Sequence, residues 1–244
     1  MLWGMFGFNS EIQMKVAILL YGQMRNLNIS IKSWDFMNHW DCDFYVSSWT
    51  KTTQYDKNLT AITQHEIIDY DYIKKYLKNS VIDLLDETEI NEKYKLNNIN
   101  AKKMMFHIKN AYDKMIMTKK KYDFIFLIRS DLYFRFHISL QDFFKFKEEN
   151  TIYCLNELEF FYGNPWANDL YFWGNFDTIS KFINSIDFNT NLGPHNYFGR
   201  LFIDLNIKIK NEQFLDVVII RPNSLTLKDN EINFENILKN TLSW

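Results

Sequence analysis

Glycine and proline are scarce in this chain, with 7 and 3 residues respectively among 244. Neither G-x-G-x-x-G nor G-x-x-x-x-G-K occurs, which excludes the two glycine-rich phosphate loops that are easiest to recognise in nucleotide-binding proteins. No stretch rich in glycine, proline or serine interrupts the sequence, and α/β domains of this length are common. We therefore predict a single domain over residues 1–244.

Cysteine is also rare, since the chain has only Cys42 and Cys154. A secreted protein of this size could join them in one disulfide, but no other feature of the sequence is typical of an exported protein. We predict two reduced, buried thiols and a cytoplasmic location. That location includes the inner face of a membrane, or the host cytoplasm for a viral protein.

Long apolar runs are absent, because no window of 18 apolar residues occurs that could cross a bilayer as a helix. The first twelve residues are apolar and aromatic, but they lack the basic region and cleavage site of a secretory signal. We predict that residues 1–14 form a packed extension ahead of the first strand. The alternative is a contact with a membrane surface or a second copy through Trp3, Phe6 and Phe8.

Neither sign of charge dominates, since 28 basic residues stand against 30 acidic ones and give a formal net charge of −2. The protein therefore has no overall basic field to attract nucleic acid or an anionic membrane. We predict no nucleic-acid partner and at most a peripheral contact with a membrane.

Apolar residues make up 47% of the chain, which is enough for a full core. Continuous apolar runs at 15–21 and 123–128 are typical of strands buried on both faces of a parallel sheet. A third strand is predicted at 43–48, ending at Trp49, and residues 101–118 carry a helical apolar stripe. This alternation predicts an α/β fold with a mostly parallel central sheet and flanking helices.

The remaining elements are shorter. Helices are predicted at 27–40, 67–77, 81–85, 177–186, 195–205 and 232–238, and strands at 132–136, 151–154 and 217–220.

Polar residues follow the first buried strand, in the sequence Gly22-Gln23-Met24-Arg25-Asn26. In open α/β sheets ligands bind outside the carboxyl ends of the strands. The glycine permits a tight turn, the start of the next helix offers N–H groups to a phosphate, and arginine can pair with it in a bidentate manner. The alternative is an ordinary turn with a surface arginine.

A charged break, Arg129-Ser130-Asp131, interrupts the apolar run FIFLIRSDLYF. Charges in a buried strand cost several kcal/mol unless they are paired or bind a ligand. A carboxylate here can hold a divalent cation on a diphosphate, while the arginine neutralises the same charge. The alternative is an Arg–Asp pair that only holds the strand end.

A third polar pair, Asn168-Asp169, precedes the apolar run LYFWG, whose aromatic residues are predicted to floor an acceptor pocket. Asp169 is a candidate base for an acceptor hydroxyl, and the alternative is a turn ahead of a strand. His195 begins a predicted helix, where it is either an acceptor contact or a cap. Trp49 and Trp166 are candidate stacking faces for a sugar or a base.

These segments together resemble bacterial and viral glycosyltransferases with a GT-A-like fold that build lipopolysaccharide, capsule or viral glycans. The resemblance covers most of residues 15–209. It rests on G-Q-x-R-N after the first strand, a strand ending at Trp49, the helix MMFHIKNAYDKM running into YDFIFLIRSDLYF, and N-D-x-Y-F-x-G from Asn168. The piece YD-x-I-x-x-I-R-x-D-L is the most specific of the four.

The resemblance implies transfer of a sugar from a nucleotide-sugar donor to a hydroxyl of a glycan or a lipid-linked saccharide. It divides the domain into a nucleotide-sugar-binding half at 15–136 and an acceptor-side half at 137–244. The donor-binding residues would be Gly22, Gln23, Arg25, Asn26, Trp49, Arg129 and Asp131. The acceptor-binding residues would be Trp166, Asn168 and His195.

The resemblance also implies two catalytic aspartates. Asp131 would hold Mn²⁺ or Mg²⁺ and the donor diphosphate, and Asp169 would be the base if the reaction inverts the sugar. Arg129 stands where the family's motif has its first acid, so the guanidinium would replace part of the cation's charge. Two rival functions stay open: a sugar nucleotidyltransferase, and a catalytically inactive domain of the same fold that binds glycans or serves as a scaffold.

Overall fold

The computed structural model describes residues 14–25, 27–55, 62–96, 100–135, 139, 148–211 and 217–219. Its strands are β1 (Val16–Tyr21), β2 (Cys42–Trp49), β3 (Lys51–Tyr55), β4 (Ile62–Ile67), β5 (Ser80–Leu85), β6 (Phe124–Arg129), β7 (Leu132–Phe134), β8 (Thr151–Cys154), β9 (Glu159–Phe161), β10 (Asn164–Trp166), β11 (Tyr171–Asn175), β12 (Lys208–Asn211) and β13 (Val217–Ile219). Its helices are α1 (Leu27–Ser33), α2 (Tyr70–Tyr76), α3 (Glu87–Tyr94), α4 (Asn100–Met117), α5 (Phe176–Asn184) and α6 (Pro194–Asp204), with a 3-10 helix at Asp35–His39.

Seven strands form the central sheet in the order β12-β8-β11-β6-β1-β2-β5. The strands β6, β1, β2 and β5 pair in parallel, as do β12 and β8, whereas β11 is antiparallel to both of its neighbours. The sheet draws its strands from both halves of the sequence. The predicted α/β class with a mostly parallel central sheet is confirmed.

Helices cover both faces of the sheet. Successive side chains of β1 point to opposite sides, and each set packs against different helices. Val16, Ile18 and Leu20 join the core beneath α1 and the 3-10 helix. Ala17, Leu19 and Tyr21 join a second core cluster with residues of α4, α5 and α6. A strand buried on both faces must be apolar along its whole length, which explains the uninterrupted run from 16 to 21.

The predicted helix at 81–85 is wrong. These residues belong to β5, which extends the sheet beside β2 in parallel register, with Tyr45 opposite Val81. The strand lies at the sheet edge and is only partly buried, so its sequence lacks the continuous apolar run of a central strand. The conformation of this short segment is therefore determined by its pairing with β2 and not by its local sequence pattern.

Other differences concern boundaries. The predicted helix at 27–40 is divided into α1 and the 3-10 helix, and the helix predicted from residue 67 begins only at Tyr70. Asp69 sets that start, because its carboxylate accepts hydrogen bonds from the backbone N–H groups of Asp71 and Tyr72. The predicted helix at 232–238 and the N-terminal residues 1–13 lie outside the described residues.

The two cysteines are free and buried, as predicted. They lie in β2 and β8, and burial raises the pKa of each thiol to about 12. Among the helices of the described ranges, none combines the length and the apolar character that crossing a bilayer requires.

Gly199 allows α6 to pack closely against β10. A Cβ atom at this position would lie 2.7 Å from the backbone carbon of Pro165 and 2.8 Å from the nitrogen of Trp166. We expect Gly199→Ala to lower the free energy of unfolding by about 1–3 kcal/mol, the usual cost of overpacking. Thermal unfolding followed by circular dichroism measures the effect.

Gly193→Ala is the matched control, because a Cβ atom there meets nothing within 4 Å. Gly193 is the N-cap of α6, so this change is expected to cost less than about 1 kcal/mol. Equal melting temperatures for the two variants would contradict the close packing of α6 on β10.

Candidate functional site

A cleft of about 220 Å³ opens where β1 and β6 end. The two strands are parallel neighbours with Tyr21 opposite Arg129, so their carboxyl ends meet at one edge of the sheet. From β1 the chain continues to β2 on one side, and it returns to β6 on the other side. Such a reversal of strand order is where open α/β sheets bind ligands.

The turn after β1 forms one wall of the cleft, with Gly22, Gln23 and Arg25 among its lining residues. Gly22 has a φ of +95°, and the turn is tied to β2 by a 3.2 Å hydrogen bond from its N–H to the carbonyl of Ser47. Arg25 Nε donates to Oε1 of Gln23 at 2.9 Å. Three of the four turn residues that were predicted to bind the donor thus line this wall. The fourth, Asn26, lies outside the described residues.

The charged break after β6 forms the opposite wall. Arg129 binds Asp131 through two hydrogen bonds, from Nε to Oδ1 at 3.0 Å and from Nη2 to Oδ2 at 2.7 Å. Its Nη1 also donates to Oδ1 of Asp169 at 3.2 Å. The Arg–Asp pair that sequence reasoning left as an alternative is therefore present, it includes a second carboxylate, and all three residues line the cleft.

This cluster, Arg129-Asp131-Asp169, is called the charged cluster below. Both carboxylates are nearly buried, with side-chain exposures of 5% and 7%. Burial acts to lower the pKa of Arg129, but the two carboxylates outweigh it and raise that pKa above its usual range. The guanidinium therefore stays charged and holds the two aspartates in fixed positions.

Tyr21, which sequence reasoning missed, supports the charged cluster. Its hydroxyl donates a 2.7 Å hydrogen bond to the backbone carbonyl of Asp169. Burial and the charge of Asp169 raise the pKa of Tyr21, so the hydroxyl remains a neutral donor. The residue belongs to an apolar run that predicts only a strand, and no local pattern marks it as part of a site.

Asp169 and Asn168 have separate roles. Asn168 forms the turn ahead of β11, since its side-chain oxygen accepts a 2.9 Å hydrogen bond from the N–H of Leu170. The carboxylate of Asp169 instead faces Arg129 in the cleft. The turn predicted as the alternative for the pair is formed by Asn168.

His195 lies close to Asp169, with Nδ1 3.8 Å from Oδ1 of that residue. Nδ1 is also 3.0 Å from the carbonyl of Ala167, which can only accept, so this nitrogen carries a proton. The ring stacks on Trp166 with centroids 4.6 Å apart. The capping role considered for His195 is wrong, because Gly193 is the N-cap of α6.

A second cavity of about 380 Å³ lies beside His195 and is lined by Phe161, Trp166, Gly193, His195 and Asn196. Trp166 and His195, two of the residues predicted to bind the acceptor, therefore share one wall.

The predicted aromatic floor from LYFWG is wrong, because Tyr171, Phe172 and Trp173 are fully buried in the core.

The third wall of the cleft comes from β2 and α4. Trp49 lines it, but the ring is only 2% exposed and packs against His107 at 4.0 Å between ring centroids. It therefore presents little open face for stacking. Four α4 residues that sequence reasoning assigned to no site also line the cleft: Asn100, Lys103, Met104 and His107.

Comparison with known proteins found no matching family model and no match among curated proteins. Within the described ranges, no group of three or more histidine, cysteine, aspartate or glutamate side chains is arranged to hold a metal ion.

Proposed function

We propose that this protein is a glycosyltransferase of GT-A-like fold that transfers a sugar from a nucleotide-sugar donor to a hydroxyl of a glycan or lipid-linked saccharide. The observation that carries the proposal is the charged cluster, because it stands at the strand-order reversal between the turn of Gly22 and the cavity beside His195. One end of the cleft thus suits a phosphorylated donor, and the other adjoins an aromatic cavity.

The donor diphosphate is assigned to the walls formed by the turn and the charged cluster. Three cationic side chains, Arg25, Lys103 and Arg129, line the same cleft. Charge-assisted hydrogen bonds from arginine to phosphate are strong and directional. Cations fixed in this way also stabilise the charge that develops on the diphosphate as the sugar leaves.

A divalent cation fits this site only together with the donor. Asp131 is the predicted metal ligand, but both of its oxygens already accept hydrogen bonds from Arg129. A cation there needs several further oxygen ligands, which the diphosphate and water supply. When bound, Mn²⁺ or Mg²⁺ would neutralise the leaving diphosphate.

The acceptor hydroxyl is assigned to the space between Asp169 and the second cavity. The carboxylate of Asp169 lines the cleft and accepts a hydrogen bond from Arg129, and in this proposal it takes a proton from that hydroxyl. Trp166 and His195 offer a stacked aromatic wall for a saccharide ring. With Asp169 as the base, the proposed reaction inverts the configuration at the sugar.

A catalytically inactive glycan-binding domain is the second candidate. The observation in its favour is that Arg129 already pairs with both aspartates of the charged cluster, so the cluster is satisfied without a ligand. In that case the aromatic cavity beside His195 would bind glycan and the cleft would bind no nucleotide.

A thermal-shift screen tests these functions. UDP-, GDP-, CMP- and dTDP-sugars are added with and without Mn²⁺, and glycans and nucleoside triphosphates are added separately. Stabilisation by one nucleotide sugar, followed by release of its nucleotide in the presence of acceptor, supports the transferase. A response to glycans alone identifies the inactive domain, and turnover of a nucleoside triphosphate with a sugar phosphate identifies a nucleotidyltransferase.

Arg25→Ala tests the phosphate assignment. The arginine would contact the diphosphate, which the free nucleoside diphosphate and the nucleotide sugar share. We expect the affinity for both to fall about 10-fold or more, since a charge-assisted hydrogen bond contributes about 1.5–3 kcal/mol. Calorimetry measures the two affinities.

Lys32→Ala is the control, because it removes the same charge from an exposed position of α1. Unchanged affinities in Arg25→Ala would show that Arg25 is only a surface residue of the turn and does not contact the diphosphate.

We also place the protein in the cytoplasm. Two free, buried cysteines suit a reducing compartment, where they stay thiols.

A further inference from the structure

The turn between β9 and β10 exposes aromatic side chains to solvent. Residues 160–164, called the aromatic tip below, are all exposed, and their sequence is Phe160-Phe161-Tyr162-Gly163-Asn164. Phe160 and Phe161 are at least half exposed, and Tyr162 is fully exposed. Single apolar residues are common on protein surfaces, whereas a contiguous group of three aromatic residues is typical of a contact surface.

The backbone of the aromatic tip is unfavourable for the residue at its apex. Phe161 pairs with Asn164, so the turn has two central residues, Tyr162 and Gly163. Both have positive φ values, +50° and +77°, as in the type I′ turns of two-residue hairpins. Glycine and asparagine adopt this conformation readily, whereas tyrosine does so at a cost in free energy. A fully exposed ring gains nothing from the fold that would offset this cost.

Side chains of the aromatic tip point to both faces of the hairpin, because successive residues of a strand alternate. Phe161 lines the cavity beside His195 together with Trp166, and the centroids of the two rings are 5.6 Å apart. Phe160 lies on the opposite face of β9. Of the aromatic tip, only Phe161 lines that cavity, so a saccharide bound there would leave Phe160 and Tyr162 uncovered. A partner that covers all three rings must surround the hairpin.

Charge and size indicate the kind of partner. None of residues 160–166 is charged, and the ionisable residues that precede them, Glu157 and Glu159, are acidic. These carboxylates would repel an anionic surface, so neutral lipid headgroups fit better. A protein partner usually contacts about 20–30 residues on each side, far more than the aromatic tip offers. A lipid interface can surround one small protrusion, and aromatic residues are concentrated at such interfaces in membrane proteins.

We propose that the aromatic tip inserts into the neutral headgroup region of a lipid bilayer and holds the protein at a membrane surface. The hairpin is anchored at its base, since β10 packs closely on α6 at Gly199. Because Phe161 lines the cavity beside His195, insertion brings that cavity to the bilayer surface. The acceptor is then a lipid-linked saccharide and not a free glycan. The acceptor class rests on the proposed function, whereas the membrane contact does not.

Sedimentation with sucrose-loaded phosphatidylcholine vesicles tests the membrane contact. We expect the parent to bind these neutral vesicles, with little effect of salt because the aromatic tip has no charge. A double variant, Phe160→Ser with Tyr162→Asn, is expected to lower the partition coefficient about 10-fold or more, since two aromatic rings leave the interface. Tyr162→Asn alone is expected to keep or raise the melting temperature, because asparagine suits the turn.

Met117→Ser is the matched control. It removes an exposed apolar side chain from the C-terminal end of α4, whose first residues line the cleft. Its partition coefficient is expected to equal that of the parent. Equal binding by the double variant would overturn the inference, as would binding that requires phosphatidylglycerol and is lost in salt. A dimer of the parent that the double variant loses, with no vesicle binding, would assign the aromatic tip to a second copy instead.

Insertion is measured directly with a fluorescent label. Tyr162→Cys offers an exposed thiol for an environment-sensitive dye, because Cys42 and Cys154 are buried and their pKa values are raised to about 12. We expect the emission to shift to the blue when phosphatidylcholine vesicles are added. The same dye on Met117→Cys is expected to show no shift. An unchanged spectrum at residue 162 would overturn insertion of the aromatic tip.

The outcomes separate this inference from the proposed function. Vesicle binding through the aromatic tip, without any response to nucleotide sugars, supports the membrane contact and removes the transferase together with its lipid-linked acceptor. A response to nucleotide sugars without vesicle binding leaves the transferase and overturns the membrane contact. Where both occur, a saccharide tethered to phosphatidylcholine vesicles is expected to accept sugar faster than the same saccharide in solution. The double variant is expected to lose that difference, and equal rates in the parent would overturn the acceptor class.

Discussion

Asp131→Asn is expected to lower the rate of sugar transfer by about 10²-fold or more, the usual effect of removing a key electrostatic group. The substitution keeps the shape of the side chain but removes its charge, and it turns one acceptor towards Arg129 into a donor. The guanidinium would then be drawn to Asp169 alone, and the diphosphate would lose the carboxylate that shares its cation. We expect donor affinity to fall together with turnover.

The fold is expected to survive this change, because Arg129 keeps its second carboxylate partner at 3.2 Å. Asp113→Asn is the control, since it removes the same charge from α4 at an exposed ion pair with Lys109. Turnover, donor affinity and melting temperature are measured for both variants. Normal turnover of Asp131→Asn with intact nucleotide-sugar binding would remove Asp131 from the site.

The middle of the central sheet could be predicted because its inner strands β1 and β6 are buried on both faces. Burial on both faces requires an unbroken apolar run, and β1 and β6 each contain one. The ends of such runs are visible as polar breaks, so the turn after Tyr21 and the charges after Ile128 could be found from the sequence alone. The edge strand β5 could not, because it is half buried and has no such run.

The pairing of Arg129 with Asp169 could not be predicted. The two residues are forty positions apart, and they meet only because β11 pairs with β6 in antiparallel orientation. β11 lies beside β6 with Tyr171 opposite Ile128, and the N–H of Arg129 donates to the carbonyl of Leu170 at 3.0 Å. The start of β11 therefore meets the end of β6. The sequence marks a strand at LYFWG, but it does not mark the strand's direction or its neighbours.

His107 was missed for a different reason. It lies beside the apolar stripe of α4, and a histidine next to buried positions is usually a satisfied core residue. Only the three-dimensional positions of Ser47, Asn110 and Asp83 show how the Nδ1 nitrogen of His107 is bound. These residues come from three separate elements, so no spacing in the sequence connects them.

Asp169→Asn is expected to lower the rate of transfer by about 10²- to 10⁴-fold, while donor affinity stays nearly unchanged. The carboxylate would take the proton of the attacking hydroxyl, and asparagine cannot. The same variant should lose slow hydrolysis of the donor if Asp169 also activates water. Asp204→Asn is the control, because it removes one charge from an exposed position of α6.

Two measurements distinguish the proposed catalytic role of Asp169 from a purely local one. Turn formation ahead of β11 belongs to Asn168, and the hydrogen bond from Tyr21 reaches the backbone of Asp169 and not its side chain. A structural carboxylate would therefore act only by holding Arg129. Its loss would cost about 1 kcal/mol of stability and disturb the donor site that Arg129 lines.

Reduced donor affinity with a lower melting temperature and proportionate turnover would make Asp169 a support for Arg129. Lost turnover with intact donor affinity makes it the base, and the contrast with Asp131→Asn, which should lose both, distinguishes the two aspartates.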